Sequence, residues 1–239
     1  MFEISSQQEP FSERSCDGSH SESLPSISES VREESLVRGL FHFGVISLLG
    51  SPAAGKGTQS RILSSEYGPT HISTGDLVRH EISSNGPRKA TIESLAAQGK
   101  LIPDEIVMDL LRKRLSHIDR EKGVVLDGCP RTAHQALLLP ALLEEFGMRL
   151  SGVLELNVPE KEAHKRLLTR IAQGSTREDD TPEKLTERYK EYLSHANALQ
   201  RALESICPIS QVDASSSLEE TTQILRTTLA QLAKHQQQG

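Results

Sequence analysis

The sequence predicts an α/β domain: a doubly wound, parallel, five-stranded sheet carrying a phosphate-binding loop. Three observations lead there. The short, almost uninterrupted apolar runs "VISLLG" (45–50), "GVVLDG" (123–128) and "GVLELNV" (152–158) are of the kind parallel strands show when both faces are covered. Segments of helical periodicity alternate with them without long interruption, the pattern of linked strand–helix–strand units. The first run leads directly into "GSPAAGKGT" (50–58), a glycine-rich loop that opens a helix.

Each element follows in turn. "VISLLG" is a buried strand, and "GKGTQSRILSSEYG" is a helix that stops at Gly68. "PTHI" (69–72) is a short strand and "DLVRHEIS" (76–83) a helix. In "PDEIVMDLLRKRLSHI" (103–118), Ile106, Val107, Leu110, Leu111, Leu115 and Ile118 recur at helical spacing behind Pro103. "GVVLDG", "GVLELNV" and "ISQVDAS" (209–215) complete the strands. "TPEKLTERYKEYLSHANALQRAL" (181–203) is a helix with Thr181 as N-cap and Pro182 in the first position. The domain is expected over residues 39–235, without internal repeats. Residues 1–38 are rich in Ser and Glu with little apolar periodicity, and are expected to be a disordered tail. They lack the regions of a secretory signal and are too acidic for a mitochondrial presequence. A regulatory role and an inert extension both stay open for this tail.

Composition narrows the function. The chain has 239 residues and a formal net charge of -6, so any bound anion needs a local cluster of basic residues, and nucleic acid is not an expected partner. Aromatic residues make up 3% and Trp is absent, which leaves Leu, Ile, Val and Ala to fill the core. Cys16, Cys129 and Cys207 are far apart, with no C-x-x-C pair, which points to a reducing compartment rather than a disulfide framework or zinc site. No apolar run reaches the roughly 18 residues of a membrane span. A soluble, cytoplasmic protein is expected.

The loop carries the first chemistry. Backbone N–H groups between Gly50 and Gly55 form an anion nest, the following helix adds its positive end, and Lys56 reaches the outer phosphates. A generic loop of this kind places Ser or Thr directly after the lysine to ligate magnesium. Here Gly57 intervenes before Thr58, which disfavours switch GTPases and motor-type ATPases. Magnesium would then be held by substrate phosphates, water and a carboxylate at another strand end, and Asp127 is placed for that role.

Four further motifs stand in order behind the loop: "HISTGDLVR" (71–79), "GKLIPDEIV" (99–107), "LDGCPRTAHQA" (126–136) and "REDDTPEKLTER" (177–188). Together with the loop the chain resembles the adenylate kinase family of nucleoside monophosphate kinases, over most of residues 45–215. The resemblance implies a helical monophosphate-binding insertion (73–102) and a short lid (170–177). It also implies a magnesium-dependent reaction of ATP and AMP giving two ADP, catalysed by a monomer. Lys56, Arg131, Arg170, Arg177 and Arg188 would be the catalytic set. Arginine suits the task because its planar fork grips phosphate oxygens and stays charged. ATP would contact Gly50, Ala53, Ala54, Gly55, Lys56, Gly57 and Thr58, with Arg166 stacked on its base. AMP would contact Thr74, Arg79, Lys100, Ile102, Gly128, Arg131, Gln135, Arg177 and Arg188, with Leu101 bordering the base and ribose. A glutamine amide offers both a donor and an acceptor to the adenine edge. Relatives acting on UMP and CMP typically carry Ala in place of Thr74 and Asn near Gln135.

Only "IAQGST" separates Arg170 from Arg177, too little for the long zinc-holding lid of some bacterial members, so no structural metal is expected. Three residues depart from the family pattern, of which Thr176, where short-lid members often have Gly, is a minor difference for lid motion. Ala53 stands where glycine is usual, and its methyl is expected to crowd the loop. Cys129 replaces the usual Phe of "LDGFPR", and is expected to react with thiol reagents unless AMP protects it. Two alternatives stay open: a pyrimidine or broad-specificity monophosphate kinase, and a catalytically weak nucleotide-binding relative.

Overall fold

A strand whose residues are buried on both faces must lie inside a sheet covered by helices on each side. Val45, Ile46, Leu48 and Leu49 are all buried in β1 (Gly44–Gly50), and the strand order β2–β3–β1–β4–β5 places β1 at the centre. The structure, a computed structural model, describes residues 29–98, 100–174 and 181–237. Around β1 the chain runs α1 (Glu29–Phe41), α2 (Lys56–Tyr67), β2 (Thr70–Ser73), α3 (Thr74–Ser83), α4 (Lys89–Ala97) and α5 (Asp104–Leu115). It continues with β3 (Val124–Asp127), α6 (Ala133–Glu144), β4 (Arg149–Asn157), α7 (Glu160–Ala172), α8 (Pro182–Glu204), β5 (Ile209–Asp213) and α9 (Leu218–Gln236). All strand pairings are parallel, so the predicted doubly wound sheet is present.

Successive side chains of β1 point to opposite faces. Ile46 and Leu48 pack with Leu63 of α2 and with Leu225 and Leu229 of α9. Val45 packs with Leu111 of α5 and Leu139 of α6, and Leu49 with Leu199 and Leu203 of α8. Helices α3 and α4 form the insertion between β2 and α5. Thr181 caps α8 and Pro182 begins it, as its sequence requires.

The expected disordered tail is corrected at its C-terminal part: residues 29–38 lie in α1, and Val37, Leu40 and Phe41 are buried. The buried positions are confined to residues 37–41, too brief a run to show a helical period. Lys234 of α9 pairs with Glu33 at 2.8 Å. Arg38 donates to the carbonyl oxygens of Glu66 and Tyr67 at 2.8 and 3.1 Å, where a cation suits the negative end of α2. Residues 1–28, with Cys16, lie outside the described residues. Helices α4, α6, α7 and α9 are likewise absent from the elements assigned above. In α6 the sequence AHQALLLPALLE is apolar almost all round, which erases the periodic signal. Among the described residues no helix is long and apolar enough to cross a membrane.

If α1 is part of the core, Phe41→Ala should destabilise the protein by about 3 kcal/mol, since Phe41 is 1% exposed. Urea unfolding followed by circular dichroism measures it, and a loss under about 1 kcal/mol would show α1 to be dispensable.

Candidate active site

The candidate residues gather where the parallel strands end, the usual place for ligands in open α/β sheets. The loop after β1 passes so close to β4 that a Cβ on Gly50 would stand 2.1 Å from the carbonyl oxygen of Leu156, and Gly50 has φ +129°. Gly55, at φ +95°, occupies the N-cap position of α2. Lys56 and Gly57 open that helix, so their N–H groups have no intrahelical acceptor and lie at its positive end. Ala54 is buried beneath the loop, and Thr58 is exposed on the first turn.

Lys56 Nζ donates to the carbonyl oxygens of Gly50 (2.8 Å) and Ser51 (2.7 Å). Burial pushes its pKa down to about 8, Arg131 and Arg188 push the same way, and Asp127 and Glu155 oppose them. The structure thus brings Asp127, Arg131 and Arg188 within electrostatic reach of Lys56.

Gly57 now has a geometric explanation. A Cβ there would approach Asp127 Oδ2 to 3.2 Å, so the missing side chain leaves room for the carboxylate at the end of β3. His71, on the neighbouring strand β2, places Nε2 3.6 Å from the same oxygen, an electrostatic contact too long for a full hydrogen bond. Burial alone would raise the pKa of Asp127, but His71, Lys56 and Arg131 together hold it below the ordinary carboxylate value. Among the described residues there is no group of three or more His, Cys, Asp or Glu side chains able to hold a metal ion. A single ionised carboxylate suits an ion such as magnesium that keeps water and phosphate oxygens as its main ligands.

On the other side of Asp127, the Thr74 hydroxyl donates to the carbonyl oxygens of Gly128 (3.0 Å) and Asp127 (3.3 Å). The N-cap of α3 is Ser73, which accepts from Asp76 N, while Thr74 occupies the first helical position. Gly128 has φ +76°, and a Cβ there would stand 3.0 Å from Arg131 Nη2. Arg131 Nε donates to Gly128 O at 2.8 Å. Arg79 pairs with Asp76 on the same helix. Gln135 is 1% exposed, Lys100 is exposed, and Leu101 and Ile102 are half-buried.

Arg166 ties the loop to the end of β5: it donates to Ala54 O (3.3 Å), Ala214 O (2.6 Å) and Ser216 O (3.1 Å). Arg170 lies in the last turn of α7 and Arg188 on α8, both half-buried. Arg177 lies outside the described residues, together with residues 175 and 176 of the lid.

Ala53 and Cys129 look different in three dimensions. Ala53 sits at φ +59°, a left-handed conformation that costs an alanine roughly 1–2 kcal/mol. Its methyl packs against the core beneath the loop, which offsets part of that strain. Cys129 is fully buried, and burial pushes its thiol up to about 12, which works against the expected reaction with thiol reagents by keeping thiolate scarce. Three polar residues were not singled out from the sequence: His71, Asp104 and Glu155. His71 lies inside a quoted motif. Glu155 is a lone acid in an apolar strand, accepting from Tyr192 Oη (2.9 Å) and Gln211 Nε2 (2.8 Å), and that position was the available signal.

Comparison with known proteins agrees with this geometry. Residues 48–204 match the family model described as adenylate kinase. The chain is similar to an adenylate kinase of Xylella fastidiosa (strain M23), 37% identical over 182 residues, covering 76% of this chain and 97% of that protein. An adenylate kinase of Phocaeicola vulgatus is 41% identical over 154 residues (64% of this chain, 81% of that protein). One of Bacteroides fragilis (strain YCH46) is 40% identical over 155 residues (65% and 82%).

Lys56 yields a pH test. Its lowered pKa means that it loses its proton as pH rises through about 8, and with it the charge that attracts phosphate. Affinity for a nucleoside triphosphate, measured by titration calorimetry, should fall between about pH 7 and pH 9.5, and Lys56→Arg should flatten the profile. A flat wild-type profile would contradict this assignment.

Proposed function

The chain belongs to the adenylate kinase family, and from that premise we propose how its residues carry out the family reaction, the reversible transfer of the γ-phosphoryl group of ATP to AMP giving two ADP. The enzyme is a nucleoside monophosphate kinase. The observation that carries the residue roles is the convergence of Lys56, Asp127, Arg131 and Arg188 beside the anion nest.

The backbone N–H groups from Ala53 to Thr58 hold the ATP phosphates, and Lys56 exchanges its carbonyl partners for the outer ones. Arg166 lies under the ATP base. Thr74, Arg79, Lys100, Ile102, Gly128 and Gln135 form the AMP site within residues 73–102 and 126–136. Arg131 and Arg188 bridge the two nucleotides, and Arg170 and Arg177 close on them as the 170–177 lid shuts. A phosphate oxygen of AMP forms the new bond to the γ-phosphorus as the bond to the ADP oxygen breaks, so no side chain needs to move a proton. The transition state is loose, and catalysis rests on alignment and on cations placed around spreading charge. Asp127 would hold, through water, a magnesium ion bound with ATP, and that ion would supply charge neutralisation at the phosphate oxygens. We place the enzyme in the cytoplasm as a monomer, consistent with its widely spaced cysteines.

Purified protein with Mg-ATP and each of AMP, CMP, UMP and GMP, followed by nucleotide chromatography, tests the reading. ADP should form rapidly with AMP alone. Turnover with none of them alongside ATP binding would make the protein a nucleotide-binding relative, and preference for a pyrimidine would overturn the acceptor.

Arg131→Ala should lower kcat by about 10²–10³, as loss of one charge-stabilising donor does, with an unchanged circular dichroism spectrum. An unfolded variant would make Arg131 a structural residue instead.

A further inference from the structure

Asp104, half-buried, has no part in the mechanism above, but it touches a residue that does. Asp104, the first residue of α5, accepts from Gln135 Nε2 through Oδ1 at 2.7 Å. Its Oδ2 accepts from the Thr132 hydroxyl at 2.9 Å and lies 3.1 Å from His134 Nδ1. At the other end of the same amide, Gln135 Oε1 accepts from Arg131 N at 2.8 Å, and Cys129 Sγ lies 3.8 Å away.

These neighbours leave the amide one orientation. The Arg131 N–H can only donate, and an ionised carboxylate can only accept. Turning the amide over would set Nε2 against the N–H and Oε1 against the carboxylate, losing both bonds and creating two repulsions. The bond to Asp104 is charge-assisted and therefore the stronger of the two. Because Gln135 is 1% exposed, its amide is oriented before any base arrives. Nε2 keeps one free hydrogen, and the weak thiol contact on Oε1 is the one an incoming amino group replaces.

We propose that Asp104 is a positioning residue that locks the Gln135 amide and thereby selects an acceptor base with an amidine edge over one with a lactam edge. This rests on the reading of Gln135 as a reader of the AMP base. An amidine edge has a ring nitrogen that accepts and an exocyclic amine that donates, which matches the locked amide. A lactam edge, as in IMP, has a ring N–H that donates and a carbonyl that accepts, and needs the amide reversed. A hydrogen-bonding site rejects the mismatched partner because its own buried groups are left unpaired. The competing role for Asp104 is structural, as a carboxylate in the first turn of α5 favoured by the helix dipole.

Steady-state kinetics with AMP and IMP at saturating Mg-ATP separate the two roles, comparing wild type with Asp104→Ala and Asp104→Asn. The ratio of kcat/KM for AMP over IMP does not depend on the fraction of active enzyme. Asp104→Ala should lower that ratio at least tenfold, mainly through a raised KM for AMP. Asp104→Asn keeps an acceptor oxygen toward Gln135 Nε2 and should restore it to within about threefold of wild type. If Asp104→Ala yields too little soluble protein, Asp104→Ser carries the same expectation, since a hydroxyl accepts or donates alike. A ratio within twofold of wild type, with only a lowered melting temperature, would overturn the lock. Wild type that fails to phosphorylate AMP would instead overturn the proposed function.

Discussion

The site depends on how β1 ends. A central strand buried on both faces cannot continue into solvent as an ordinary loop, because its neighbour β4 runs alongside to Asn157. Gly50 resolves the conflict: without a Cβ it turns away beneath the carbonyl of Leu156, and the chain enters α2 after one short loop. That turn aims the first N–H groups of α2 at the space over the strand ends. It also brings Lys56 back over the loop carbonyls of Gly50 and Ser51, where burial lowers its pKa.

The sheet and the loop were legible in the sequence because both rest on local rules. Runs such as "GVVLDG" reveal strands buried on both faces, and the spacing of Gly50, Gly55 and Lys56 reflects what backbone and charge must do around an anion. Less legible was anything set by contacts distant in sequence. Helix α1 buries only Val37, Leu40 and Phe41, too short a run to register, yet Phe41 belongs to a core cluster that includes residues more than a hundred positions later. Asp104 meets Gln135 across about thirty residues, and no pattern in either motif indicates the pairing. Cys129 illustrates the converse: its identity was noted, but its chemistry depends on burial, which composition does not reveal.

Gly57 shows how a local anomaly and a distant contact explain each other. As a deviation from the generic loop it marks a missing hydroxyl. Beside β3 it marks the space that the Asp127 carboxylate occupies. The hydroxyl missing from the loop is thus matched by a carboxylate on the adjacent strand, and the two stand close because no side chain lies between them.

The segment from Asp127 to Gln135 connects both halves of the site. Asp127 faces Lys56 and the loop, the carbonyls of Asp127 and Gly128 receive the Thr74 hydroxyl, and the Cys129 carbonyl accepts from buried Ser47 on β1 at 2.6 Å. Arg131 then folds back onto Gly128 while its N–H orients Gln135, whose amide is held in turn by Asp104. Asp127, Gly128, Cys129 and Gln135 in this short stretch each meet a neighbour on a different element. A shift of β3 relative to β1 would therefore disturb Lys56, Arg131 and Gln135 together, the residues proposed to meet the donor phosphates, the acceptor phosphate and the acceptor base. Parallel pairing of Leu48 with Asp127 in the sheet opposes that shift, and it does so at the residue where the polar chemistry begins. The rigidity of the sheet and the alignment of the two nucleotides are therefore one physical requirement.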